Sequence, residues 1–372
     1  MGLGSGRLLI RNTAASLLSS CAPCVLAQRL RVPPDGIMSP EAFSATNVIY
    51  GAPHELTDNG GWCWFENERA TIAGNHLFAS TIGSAGGLGG PTRVGHVEVN
   101  SLDLSTGTAG RHVMGEGTYF EGDDHNTAAL WMRPDRRLVA MYTRHGADPI
   151  IRYAISNAGA YGEGDWSEEK EIDTSAYTAG ENATYSNLYY LKDVGTDGAS
   201  DTTPGRLYDF YRSGTSRHYL ISDDWGETWR QGGVLMYSST QDPERRFENP
   251  YHQFKSNGRD EIHYIFNDAH PRVPATHNRV YHVSVKDGYV RRSDGTRFQR
   301  LSDVTGGVPN DPIAYSEVAG TISEVWNSEA HEFDDAWVSD LEIDENGNPY
   351  VAFSAQKDGF SDNGEVLPVR HG

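Results

Sequence analysis

Apolar and polar positions alternate in short runs along this chain, and few stretches repeat with helical spacing. The clearest unit is residues 121–146, EGDDHNTAALWMRPDRRLVAMYTRHG. Thr127 to Met132 predicts one β-strand, Pro134, Asp135 and Arg136 a turn, and Leu138 to Tyr142 a second strand. His125 precedes the first strand and His145 follows the second. In an antiparallel hairpin the start of one strand lies beside the end of the next, so the turn sets two imidazoles side by side at the open rim of a sheet.

The pattern recurs. Trp62 to Ile72 and Leu77 to Thr81 flank a Gly74-Asn75 turn, and Tyr185 to Leu191 and Leu207 to Tyr211 flank a Gly/Asp/Thr-rich insertion. Tyr251 to Phe254 and Ile262 to Phe266 flank Asn257-Gly258, and Trp337 to Ile343 and Tyr350 to Ser354 flank Glu345-Asn346-Gly347. Further strands are predicted at Gly95 to Val99, Ile151 to Ser156, His218 to Ser222 and Val280 to Val285. Starts lie about 60 to 85 residues apart, the spacing of multi-stranded repeats. Units of about four strands read as blades, so the expected fold class is all-β, a β-propeller over residues 29–372, with a long β-sandwich or β-helix as the alternative. Residues 222–229, SDDWGETW, match Ser-x-Asp-x-Gly-x-Thr-Trp, the Asp-box or bacterial neuraminidase repeat. That motif favours the propeller: Ser222 and Asp224 can bond turn backbone, Gly226 supplies an unusual backbone angle, and Trp229 packs between blades. Five blade starts are visible. Either a five-bladed ring closes on N-terminal strands, or C-terminal blades are missing and the chain is truncated.

Composition narrows the partners. Acidic residues outnumber basic ones 51 to 31, a formal net charge of −20, which argues against nucleic acid or an anionic membrane as partner. An anionic substrate would need a local basic patch on this negative body. Three cysteines, Cys21, Cys24 and Cys63, make no disulfide framework, and the Cys-x-x-Cys pair has no second pair to complete a zinc site. Residues 1–28 read as an imperfect export signal, with Arg7 as the positive start and Val25-Leu26-Ala27 before the cleavage point. The alternative for this segment is a disordered N-terminus. No other stretch approaches a membrane span.

The candidate chemistry sits at equivalent blade positions. Tyr185 opens the third strand pair, Arg212 ends it, and Tyr251 opens the fourth. First-strand starts and second-strand ends of a propeller share one face, so His125, His145, Tyr185, Arg212 and Tyr251 are expected at one funnel. Singly, each has a plainer reading: solvated histidines at strand ends, packing tyrosines, an arginine paired with a carboxylate. His270, His277 and His282, with His263 nearby, could hold a structural zinc or calcium, though histidines hydrogen-bonded across adjacent strands are the favoured reading.

The elements GGWCWFENERA (60–70), DDHN (123–126), YTRHG (142–146), TYSNL (184–188), FYRS (210–213), SNGRDEIHYIFNDAHPR (256–272) and AWVSDLEIDENGNPYVAF (336–353) resemble the BNR-repeat polysaccharide lyases typified by ulvan lyases. The resemblance runs from Gly60 to Ser354. It implies a secreted (extracellular or periplasmic), seven-bladed β-propeller, expected as a monomer, that cleaves ulvan by β-elimination; ulvan is a sulfated polysaccharide of rhamnose and uronic acid. It implies Arg212 as neutraliser of the uronate carboxylate, His125 and Tyr185 as the acid–base pair in either order, and His145 and Tyr251 as sugar-binding residues. Imidazole and phenol, with reference pKa values of about 6.5 and about 10, suit these proton transfers, and a guanidinium can bind both carboxylate oxygens. No cofactor is then required for catalysis. The family continues with more blades past the match to Tyr350–Ser354, whereas this chain diverges after Gln356. Two rivals remain: a sialidase-like glycosidase, which lacks here an Arg-Ile-Pro-like start and further Asp-boxes, and a non-catalytic carbohydrate-binding propeller.

Overall fold

The computed structural model describes residues 9–10, 54–63, 66–115, 123–194, 205–214, 216–237, 251–268, 277–301, 313–314, 322–331 and 333–356. The predicted export signal, the 195–204 insertion and His270 lie almost wholly outside these residues. The described chain is all-β and mostly antiparallel, with one short α-helix, α1 (Ser175–Thr178). It divides into two compact units, Met1–Cys63, Glu68–Gly146 and Ile150–Ile172 in one, and Trp64–Asn67, Ala147–Pro149 and Asp173–Gly372 in the other.

In the first unit β1 (Leu9–Ile10) pairs with β2 (His54–Glu55). A four-stranded meander follows: β3 (Ala70–Ala73), β4 (His76–Ile82), β5 (Val97–Asp103) and β6 (Ala109–Gly115). A second meander comprises β7 (Ala129–Met132), β8 (Leu138–Thr143), β9 (Ile150–Ile155) and β10 (Lys170–Asp173). Every residue of β8 is buried, because both faces of this strand are covered; its even-numbered side chains Leu138, Ala140 and Tyr142 pack with Phe78, Ile82, Val97 and Val99 of the first meander. The β7–β8 turn runs through Arg136 at φ 64°, held where the Asp135 carboxylate accepts the Arg137 backbone N–H at 3.2 Å.

The first predicted strand is shorter than the sequence suggested. Among the described residues of Trp62 to Ile72 the strand begins only at Ala70, and Gly61 before it makes an isolated bridge to Ile82. Polar side chains intervene: Asn67 Oδ1 accepts the Phe254 backbone N–H at 2.5 Å, and Arg69 Nε donates to Thr127 Oγ1 at 3.3 Å. Such side-chain bonds compete with a strand ladder.

The second unit opens with β11 (Ala183–Leu191), β12 (Arg206–Ser213), β13 (Ser216–Ser222) and β14 (Arg230–Tyr237). Next come β15 (His252–Ser256), β16 (Glu261–Asn267), β17 (Arg279–Lys286), β18 (Tyr289–Arg292) and β19 (Arg297–Arg300). β20 (Ile313–Ala314) adds in parallel to β14, and β21 (Ser323–Asn327) adds to β17. A hairpin of β22 (Asp335–Ile343) and β23 (Pro349–Gln356) ends the described chain. Period-2 alternation on β16 explains the layering: Ile262, Tyr264 and Phe266 pack with Tyr208, Phe210 and Phe254, whereas Ile265 packs with Ala336, Val338 and Leu341. The predicted Asp-box forms the β13–β14 turn. Ser222 Oγ accepts the Gly226 N–H at 2.8 Å, Asp224 accepts the Thr228 N–H at 2.9 Å, and Gly226 has φ 86°. Only glycine enters that left-handed region without strain.

Candidate active site

In the first unit the hairpin brings its two histidines into contact. His125 lies in a 3-10 turn, Asp124–Asn126, capped by the Asp123 side chain, and His145 follows β8. Buried Asn126 accepts the His145 backbone N–H at 2.6 Å, fixing the end of the second strand to the start of the first. The imidazoles stack with centroids 4.3 Å apart and planes 14° from parallel. Asp123 joins both: Oδ1 is 2.5 Å from His125 Nδ1 and Oδ2 is 2.9 Å from His145 Nδ1. Burial pushes the Asp123 carboxyl up, but the hydrogen bonds of His125 and His145 outweigh it and hold it well below the usual carboxylate range. An ionised carboxylate only accepts hydrogen bonds, so each Nδ1 is the donor.

Two groups here bring metal-ligating atoms within 4.8 Å: Cys63, Asp124 and His125, and Asp123, His125 and His145. Donors about 2.1 Å from one tetrahedral zinc would stand roughly 3.4 Å apart. The 2.5 and 2.9 Å separations at Asp123 are those of charge-assisted hydrogen bonds instead.

In the second unit Tyr185 sits at a β-bulge, where the β11–β12 register shifts between Thr184 and Asn187. Its φ is 59°, a left-handed conformation that is strained for a bulky residue. Asp209 of β12 holds the bulge: its Oδ1 accepts the Ser186 hydroxyl at 2.6 Å and the Asn187 N–H at 2.8 Å. Asn187 Nδ2 closes the loop by donating to the Tyr185 carbonyl at 2.8 Å. The bulge re-aims the phenol ring, and the Arg212 guanidinium lies over it, 4.6 Å from the centroid. Replacing the fully buried Asp209 by alanine is expected to destabilise the protein by roughly 2–4 kcal/mol, since two donors lose their acceptor. Asp209→Asn should cost less; urea denaturation of both variants measures the difference.

Tyr185 and Arg212 line a cavity of about 310 Å³, part of it open to solvent, together with Asn67, Asn187, Arg217 and His252 among others. Arg217 stands opposite Arg212 in the β12–β13 ladder, so both side chains share a face of the sheet.

A family model described as "BNR repeat-containing family member" matches residues 93–366. The chain belongs to the BNR repeat-containing family. No curated protein sequence matches it. Among solved structures it is similar to a polysaccharide lyase of family PL25, an ulvan lyase, bound to -[GlcA(1-4)Rha3S]-, with a TM-score of 0.61 and 14% identity over 83% of this chain and 69% of that one. A second structure of a PL25 ulvan lyase gives a TM-score of 0.60 and 15% identity over the same shares. At such identity the likeness is one of fold.

The remaining predicted residues of this BNR-repeat chain are placed as follows. Tyr251, half-buried before β15, stacks on Trp337 at 5.2 Å. His263 and His282, on neighbouring strands β16 and β17, are joined by a 3.0 Å contact from Nδ1 to Nε2, and His282 Nδ1 meets Ser293 Oγ at 2.7 Å. His277 Nδ1 meets the Phe333 carbonyl at 3.1 Å. Sequence reasoning missed Asp123 and Arg217. Asp123 stands two residues before a candidate histidine, the span of a turn cap. Arg217 follows Arg212 five residues on, and the β12–β13 register sets them opposite each other.

Proposed function

We propose that this protein is a secreted polysaccharide lyase of propeller architecture that cleaves a uronate-containing sulfated polysaccharide, ulvan, by β-elimination. The observation carrying this reading is the guanidinium of Arg212 over Tyr185, a phenol held on a strained bulge at a partly open cavity. The fold likeness to ulvan lyases supports it.

Elimination removes the proton on C5 of the uronate; its electrons form the C4–C5 double bond, the C4–O4 bond breaks, and O4 takes up a proton. The C5 proton is very weakly acidic while the neighbouring carboxylate keeps its full charge. Arg212 engages that carboxylate and stabilises the charge that develops on it. Arg217 stands on the same face of the sheet as Arg212, on a chain of net charge −20. Tyr185 and His125 are assigned the two proton transfers, and His145 and Tyr251 sugar binding.

Incubation with ulvan tests the reaction. Elimination creates a conjugated double bond that absorbs in the near ultraviolet, and hydrolysis does not. Rising absorbance is the expected result; new reducing ends without absorbance would indicate a glycosidase, and binding without turnover a carbohydrate-binding module. Tyr185→Phe keeps the ring beneath Arg212 and removes only the hydroxyl, so kcat is expected to fall on the order of 10²–10⁴-fold with folding unchanged. His125→Ala should cause a loss of similar size. Progress curves on the two variants measure both effects.

A further inference from the structure

We propose that Asp123 is the positioning residue of the histidine pair, a single carboxylate that holds both His125 and His145 by Nδ1 and so sets the tautomer of both rings. This rests on the lyase reading for its kinetic consequence, but not for its geometry. Each carboxylate oxygen takes one ring, Oδ1 at 2.5 Å from His125 and Oδ2 at 2.9 Å from His145. Oδ1 also accepts the His125 backbone N–H at 3.1 Å, so the carboxylate is tied to the turn that carries the ring it orients. Asp124 Oδ1 lies 3.0 Å from the same Nδ1 and reinforces the arrangement at His125.

The chemistry follows from the tautomer. A neutral imidazole carries one N–H and one lone pair, and a carboxylate opposite Nδ1 selects the Nδ1–H form. The lone pair then lies on Nε2. When Nε2 takes a proton, the imidazolium charge is offset by the carboxylate already in place. Stacking at 4.3 Å opposes a positive charge on both rings at once, so the pair behaves as one unit with a shared counter-ion. Loss of Asp123 should therefore disturb both histidines.

The experiment combines imidazole nitrogen NMR with ulvan kinetics on the wild type, Asp123→Asn and Asp123→Glu. In the wild type both rings are expected as Nδ1–H tautomers, a readout independent of any activity. In Asp123→Asn that preference should be lost and kcat should fall on the order of 10²–10⁴-fold with little change in KM. Asp123→Glu, with an acceptor of the same charge, should recover part of kcat. Nε2–H tautomers in the wild type, or unchanged kcat in Asp123→Asn, would overturn the proposal. So would stoichiometric zinc in the purified wild type that Asp123→Asn loses, which would make the carboxylate a metal ligand. If the wild type shows the expected tautomers but no elimination, the lyase reading fails and the positioning geometry stands.

Discussion

Arg212→Ala is expected to reduce elimination on ulvan on the order of 10³-fold or more while leaving the protein folded. The barrier lies in creating negative charge beside a carboxylate that already carries one, and a planar guanidinium can bind both oxygens of that carboxylate as the charge spreads onto them. Arg212 is the guanidinium that lies over the Tyr185 ring, 4.6 Å from its centroid, and Arg217 stands opposite it on the adjacent strand. Arg212→Lys should recover only part of the rate, because an ammonium is a point charge without the fork. Stability should change little. Arg212 is half-buried at the end of β12, and its contact with the Tyr185 ring is worth about 1 kcal/mol. Near-ultraviolet progress curves measure the loss, and circular dichroism checks the fold. Wild-type turnover in Arg212→Ala would remove the carboxylate-neutralising role.

Acidification from pH 7 to pH 4.5 should lower the urea midpoint of the protein, through two buried histidines of the second unit. Burial, and then the Arg217 charge, push His218 down to about 4; burial and the neighbouring His263 push His282 down to about 4, against a smaller opposing effect of Glu261. Unfolded, both rings titrate near 6.5, at about their reference value. Between those pH values the unfolded chain binds protons that the folded chain excludes, so acid favours unfolding. The stabilisation is complete above about pH 6.5 and is lost as pH falls toward 4, roughly 3 kcal/mol for each ring. Asp335 works the other way. Burial and then Asp334 push it up to about 7, with His277 opposing, so its contribution is lost as pH rises from about 4 through 7 and it offsets part of the histidine effect. His218→Gln separates the contributions: its urea midpoint should depend less steeply on pH than that of the wild type. Equal slopes for the two proteins would show that His218 titrates normally.

Much of the architecture is legible in the chain itself. The β7–β8 hairpin follows from a Pro-Asp-Arg turn between two apolar runs, and with it the approach of His125 to His145. The pairs β11–β12, β15–β16 and β22–β23 match predicted strand pairs to within a few residues. Residues 222–229 form a turn whose hydrogen bonds all lie within seven residues, so its position is readable locally. Trp62 to Ile72 misled because its apolar residues suggest a strand, whereas Asn67 and Arg69 spend their side chains on the backbone of Phe254 and the hydroxyl of Thr127. Nothing local announces those partners.

Strand identity, turn position and the candidate residue types were determined by the sequence alone, since period-2 alternation and turn chemistry act over a handful of neighbours. Tertiary structure decided how those residues are held. Tyr185 takes a left-handed backbone only because Asp209, on the next strand, fastens the bulge. Asp123 grips two rings 20 residues apart in sequence only because the hairpin closes. The low values at His218 and His282 arise because folding strips water from them first and sets Arg217 and His263 beside them second. Each of these depends on burial or on contacts between separate strands, and neither is encoded in any short stretch of the chain.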